Sequence, residues 1–205
     1  MTAVSVTARL MAMLNLTWMG IGARHGDLPE VVISIVAGSA GPPRLGHFAD
    51  IRWQHGPGDP LPEVPITREV LAGGPGEVLG TLLHEAAHGM AAARRVQDTS
   101  RQGRWHNGRY RAIAAELGLD AAHTTGIGWG DTTVPPATAV QYTGELRYLA
   151  AELVAWRRPE QRGGDRVDSG NAAARCPCGR RIRVAGSVLD AGPITCGLCR
   201  GEFTA

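Results

Sequence analysis

Apolar residues recur along this chain with two different periods, and the periods divide it into helices and strands. Between Met1 and Gly22, the residues Leu10, Met13, Leu14 and Trp18 share one helical face, so an amphipathic helix is predicted there. Glu30 to Ala37 reads EVVISIVA, a short run rich in β-branched residues and predicted to be a buried strand. Gly38 to Gly46 is a Gly/Pro loop, Gly46 to Gln54 a second strand, and His55 to Pro62 another loop. Glu63 to Thr67 reads as a third short strand and Arg68 to Ala72 as a turn. From Glu77 to about Gln97 a stripe of Val78, Leu82, Leu83, Ala86, Ala87 and Met90 predicts a long helix, with Pro75 placed where a helix start tolerates it. Asp98 to Trp105 is a polar loop. A helix from about Asn107 to Leu117 ends at Gly118, and Ala121 to Ala137 is irregular. Glu145 to Trp156 is a last long helix, stopped by Pro159.

This alternation predicts an α+β fold. The polar, glycine-rich stretch 159–174 reads as a linker between a main domain, 1–158, and a small Cys-bearing module, 175–205. Hydrophobic residues at 43% and charged residues at 20% fit a folded globular chain. Without a run of 18 uncharged apolar residues, no membrane span is expected. The first helix lacks a basic leading region, and Arg9 and Asn15 interrupt it, so it is not read as a signal peptide. All four cysteines follow residue 175, in two close pairs, which fits a metal site in a reducing compartment and predicts a cytoplasmic protein. The formal charge of +2 does not by itself imply nucleic-acid binding, and the use of Arg for all 21 basic residues is read as compositional bias.

Chemistry enters at His84-Glu85-Ala86-Ala87-His88, an H-E-x-x-H on the predicted helix. His84 and His88 are one turn apart, so both rings can reach one Zn2+ ion. Glu85 is rotated by roughly 100° from them, beside the metal, where a general base must sit. A shuffled chain of this composition would contain the pattern with a probability of roughly 0.01. A catalytic zinc needs a third protein ligand. His106, Glu116 and His123 are the candidates, and His106 is preferred because it shares a helical stripe with Tyr110, Ile113, Ala114 and Leu117.

The run from Leu82 to Asp120, LLHEAAHGMAAARRVQDTSRQGRWHNGRYRAIAAELGLD, resembles the core of SprT-like zinc metallopeptidases, particularly those of phages and mobile elements, a family related to Spartan. In that family a histidine crosses a loop from the H-E-x-x-H helix and opens an H-G-x-x-F-like element, here His106-Asn107-Gly108-Arg109-Tyr110, with Tyr in place of Phe. The close likeness covers about 45 residues, Glu77 to Asp120. It implies a zincin-like domain, a small twisted sheet packed on two active-site helices. It also implies that Glu85 is the catalytic base, that His106 is the third ligand, and that the substrate is a protein or peptide. Substrate strands would lie along an edge from 46–54 or 63–67. His123, Tyr142 and Tyr148 are candidates to stabilise an oxyanion.

Cys176-Pro177-Cys178 and Cys196-Gly197-Leu198-Cys199 suit a second, structural zinc in a zinc-ribbon-like module, although the first pair is one residue short of the usual knuckle. Ile182, Val184, Val188, Leu189 and Ile194 would form short strands between the knuckles. Arg180 to Arg183 could contact DNA phosphates. The alternative function is a non-catalytic or weakly active DNA- or protein-binding module with structural zinc. The sequence leaves the oligomeric state open.

Overall fold

The computed structural model describes residues 5–36, 49–54, 56–153 and 172–204. Residues 37–48, residue 55 and most of the expected linker, 159–171, lie outside these, as does the end of the helix expected to reach Trp156. The chain divides into two compact units, 1–158 and 159–205.

In the first unit the main helices form where the apolar stripe predicts them. Helix α1, Val6–Gly22, starts at Ser5, whose hydroxyl accepts the amide of Ala8. It buries Leu10, Met13, Leu14, Thr17, Trp18 and Ile21, one face of the helix. Strands β1 (Val32–Val36), β2 (Ala49–Trp53) and β3 (Leu61–Thr67) follow and form a sheet of order β1-β3-β2. β1 runs parallel to β3 and β2 antiparallel to it. β3 is therefore the central strand of the order: 63–67 pairs with β1 along its length, and on the other side Glu63 pairs with Ala49 of β2. Thr67 then caps a short helix, α2 (Arg68–Ala72), where the sequence predicted a turn.

Helix α3, Pro75–Ala93, enters from Gly74 at φ 88°, a left-handed conformation that suits glycine, with Pro75 in the first turn. Its apolar stripe, Val78, Leu79, Leu82, Leu83, Ala86, Ala87 and Met90, is fully or almost fully buried. It packs against α1, α2 and two later helices, α4 (Gly108–Glu116) and α6 (Thr143–Glu152). These helices and Ile33, Val64 and Ile66 of the sheet share one core.

Between α3 and α6 the chain is more ordered than its sequence predicts. The polar loop holds β4 (Thr99–Ser100) and the first residue of β5 (Trp105–His106), while the irregular stretch holds β7 (Gly128–Thr133), all but the first residue of β6 (Asp120–Thr124) and the start of helix α5 (Pro136–Gln141). The four strands form a sheet of order β4-β5-β7-β6, in which β5 and β7 are parallel at His106 and Gly128. Their glycines and short polar residues carry no apolar alternation, so periodicity is blind to them.

The second unit pairs β8 (Ala172–Arg175) with β9 (Arg181–Val184) in an antiparallel hairpin, followed by a short helix, α7 (Gly186–Asp190). Ala172 to Ala174, assigned to the linker by composition, are strand. Val188 and Leu189, expected in strands, lie on α7. Ala174, Cys176, Cys196 and Phe203 form a small core with Ile182, Val184, Leu189 and Ile194 against it. Among the described residues no helix is long and apolar enough to cross a membrane.

Candidate metal centres

The first centre is assembled from α3 and the β5–β7 pair. α3 supplies His84 and His88 on one face and buries Glu85 beside them. His106 arrives differently from the sequence expectation. It is the last residue of β5, and the helix begins only after Asn107, whose side chain accepts the amides of Arg109 and Tyr110. The His106 ring is turned inward by the sheet: its own amide donates to the carbonyl of Ile127 at 2.9 Å. The donor atoms of His84, His88 and His106 all lie within 4.8 Å of one another, so the three could hold a metal ion.

The other two ligand candidates are elsewhere. Glu116 faces solvent and takes two hydrogen bonds from Arg94, at 3.0 and 2.8 Å. His123 is exposed on β6, with its ring 5.5 Å from Trp105 and 5.0 Å from Trp129. Nor do the other candidate oxyanion donors border the histidines: Tyr142 is buried under the Arg24 guanidinium, and Tyr148 lines a shallow depression with Leu16, Thr17 and Arg24. The phenol that does border them is Tyr110, its ring centre 5.1, 4.8 and 4.5 Å from those of His84, His88 and His106.

Each histidine is oriented through Nδ1 by a different partner. His88 Nδ1 meets the Asp98 carboxylate at 2.5 Å, and His106 Nδ1 meets the Ile127 carbonyl at 3.1 Å. His84 Nδ1 lies 2.7 Å from the Tyr110 hydroxyl and 3.0 Å from that of Thr132. Carboxylate and carbonyl oxygens only accept, so Nδ1 carries the hydrogen in both His88 and His106. When those rings are neutral, each Nε2 is a bare lone pair, and the two Nε2 atoms are 3.2 Å apart. No hydrogen is left to bridge them. Facing lone pairs at that distance repel, and a shared cation converts the repulsion into coordination. The donor set therefore fits a metal.

The electrostatics agree with this assignment. Burial, then the neighbouring His88 and His106, hold the His84 ring well below the ordinary histidine pKa, and burial, then His88, lowers that of His106. Neutral rings are the ligating form. Burial also raises the Tyr110 phenol well above its usual range, with Glu85 and Asp98 adding to it, so its proton stays on.

This shell can be probed by mutation and by pH. Asp98→Asn keeps an acceptor for His88 but removes its charge. Titration with a competing chelator should then show metal affinity about 10–100-fold weaker. In metal-stripped protein, the folded state resists protonating His84 and His106 while the unfolded chain takes protons near pH 6.5. The stability set by these rings is thus intact above about pH 6.5 and declines as pH falls below it. Urea unfolding in excess chelator at pH 8 and pH 5.5 reads this directly.

Sequence reasoning missed the supports. Asp98 sits in what reads as a solvated loop, and Thr132 in what reads as an irregular stretch. The glycines of Gly128-Trp129-Gly130 have a steric role: a Cβ on Gly130 would lie 2.4 Å from His106 Nδ1, and one on Gly128, at φ 66°, would lie 2.2 Å from the His106 carbonyl oxygen. The cue available was a pair of glycines flanking one tryptophan.

In the second unit the Sγ atoms of Cys176, Cys178, Cys196 and Cys199 all lie within 4.8 Å of one another, and all four are free thiols. The tight first knuckle turns at Gly179, φ 85°, whose amide donates to the Cys176 carbonyl. The amides of Cys199 and Leu198 lower the Cys196 thiol to about 6, while the Cys176 sulfur, 2.8 Å away, pushes Cys178 up. Crowded sulfurs that resist ionising together are those that a cation would draw into coordination.

Compared with models of known protein families, with curated proteins and with solved structures, the chain matches none.

Proposed function

We propose that the first unit is a zinc-dependent endopeptidase with a zincin-like architecture of the SprT-like kind. The observation that carries the reading is the convergence of the His84, His88 and His106 donors, with the Glu85 carboxylate one residue along the same helix. Tetrahedral zinc with bonds of about 2.0–2.1 Å sets its nitrogens about 3.3 Å apart, close to the 3.2 Å between the Nε2 atoms of His88 and His106. Zinc, when bound, polarises the scissile carbonyl and brings the pKa of the attacking water toward ~7.

The chain's own residues do the rest. Glu85, buried at 1% exposure, takes the proton from the attacking water and delivers it to the departing amine nitrogen. Asp98, the Ile127 carbonyl and the hydroxyls of Tyr110 and Thr132 fix the three rings, so no reorganisation is needed as charge develops. The extended substrate adds to an edge strand, for which β2, outermost in the order β1-β3-β2, is the choice.

The second unit is proposed to hold a structural zinc. Two of its sulfur separations, 3.8 and 3.9 Å, are close to the roughly 3.8 Å expected of tetrahedral zinc–thiolate bonds.

The test combines metal analysis with hydrolysis. Purified protein should carry about two zinc per chain, falling to about one in His84→Ala, His106→Ala or Cys196→Ser. It should cleave unfolded protein, stop with chelator and recover with zinc. A full zinc complement without cleavage of any of a panel of unfolded proteins would sink the peptidase reading.

One observation favours the alternative of a DNA-binding module. Arg175 and Arg181 are direct cross-strand partners, and Arg183 shares their face, while Ala174, Ile182 and Val184 point to the core. Like charges placed opposite one another destabilise a hairpin unless an anion lies across them. DNA binding that is lost in an Arg175→Ala/Arg181→Ala/Arg183→Ala protein, without any hydrolysis by the parent, would favour that reading.

A further inference from the structure

Helix α1 lacks the charged outer side that a solvated helix presents. Of its 17 residues only Arg9 is charged. Its inner face lies in the core. The opposite side of the helical wheel is made by Ala8, Ala12, Leu16, Met19 and Ala23, all exposed, Leu16 at 50% and Met19 at 66%. Ala23 caps the helix and keeps helical backbone angles, φ −62° and ψ −23°. The polar residue beside them, Asn15, turns its amide back to donate to the Met11 carbonyl at 3.0 Å. The exposed sides of α4 and α6 are different, with Arg109, Arg111 and Glu116 on the first and Arg147 on the second. A helix that is apolar all round belongs between two partners, and α1 has one of them within its own unit.

The pattern of the outer side indicates the other. Ala12, Leu16, Met19 and Ala23 are spaced four, three and four residues apart, so the spacing reads the same from either end. A second copy laid antiparallel across it sets Leu16 against Met19, Met19 against Leu16, and Ala12 against Ala23. The large side chains fill the middle, and the small ones at both ends let the backbones approach. This is the self-matching contact of a two-fold dimer. Leu16 also walls the depression it shares with Thr17, Arg24 and Tyr148, an opening that the flexible thioether of the facing Met19 can fill.

Charge supports the same occupant. The seam carries none, and the cations at its two ends are neutralised within the chain, Arg9 by Glu152 and Arg24 by Glu145, each at 2.6 Å. An antiparallel copy therefore meets no like charge along it. Helices that lie on a membrane are rich in basic residues along the polar face, and the single arginine of α1 is already paired.

We propose that the outer side of α1 binds a second copy of this chain, antiparallel, with the two-fold axis between residues 17 and 18. A contact one helix wide and about 25 Å long falls at the small end of specific interfaces. The dimer should therefore be reversible, with a dissociation constant on the order of 10 μM. The seam points away from the core that α1 shares with α3, so the proposal is independent of the peptidase reading.

The experiment is sedimentation equilibrium of the full chain between about 1 and about 200 μM, a range that brackets that constant. The parent should pass from monomer to dimer across it. Leu16→Glu and Met19→Lys, each alone, bury an unpaired charge in the seam and should weaken association about 10-fold or more. An equimolar mixture of the two should recover the dimer, because the new charges face each other across the seam while the remaining Leu16 and Met19 do the same. Both side chains are exposed, so far-ultraviolet circular dichroism and zinc content should match the parent. The proposal is overturned if the parent stays monomeric at the highest concentration, if either variant associates as the parent does, or if the mixture stays monomeric. A monomeric parent that binds anionic vesicles through the same two residues would assign the face to a lipid surface instead.

Discussion

Glu85→Gln should hold two zinc ions per chain and hydrolyse peptides about 10²–10⁴ times more slowly than the parent. The amide is isosteric with the carboxylate, so the three histidines and their supports are undisturbed. What it removes is a base able to take a proton from water and return it to the leaving nitrogen. The carboxylate is almost completely buried within the helix that carries two of the rings. Steady-state hydrolysis and zinc content of the same preparation test both statements. Hydrolysis above a tenth of the parental rate would remove Glu85 from the mechanism.

Gly130→Ala should lose the first metal while leaving the second in place. The added Cβ would lie 2.4 Å from His106 Nδ1, 2.7 Å from Cε1 and 3.0 Å from Cγ. No rotamer of the new methyl avoids this, since it has none, so the ring must swing away or β7 must part from β5. Gly130 does not occupy a left-handed conformation, so the effect is steric and not backbone strain. The matched control is Gly126→Ala, where a Cβ meets nothing within 4 Å. Zinc should fall from about two to about one per chain in Gly130→Ala and stay at about two in Gly126→Ala, with hydrolysis following the zinc. Full zinc in the Gly130→Ala protein would mean that His106 does not need its present seat.

These predictions depend on parts of the molecule that were unequally legible in the sequence. The helix bearing His84, Glu85 and His88 was plain because a 3.6-residue stripe and a local motif coincide there. His106 was picked out for the wrong local reason. Its stripe with Tyr110, Ile113 and Leu117 is real for the helix, but the ring is aimed by strand pairing with Ile127 and Gly128. β6 and β7 were invisible because the residues that make them useful, glycines under a ring and hydroxyls beside one, are those that abolish alternation. The role of Asp98 depends on a fold that brings it back over His88, ten residues earlier. In the second unit the cysteine spacing was readable at once. Whether Val188 and Leu189 lie on a strand or a helix was not, because five residues are too few to show a period.

The rings of His88 and His106 are only 18 positions apart. A loop that short closes quickly and at modest entropic cost, so the ligand set can assemble without waiting for distant parts of the chain. The core shared by α1, α3, α6 and the first sheet draws most of its side chains from outside that loop, with Met90, Ala91 and Val96 the contributions from within it. Removing the ion should accordingly loosen one small patch, residues 98–107, whose amides would exchange early, while the helices keep theirs. On the proposed function the ion would be a local clasp rather than a keystone: the scaffold would form without it, and any metal-dependent chemistry would wait for the metal to be supplied.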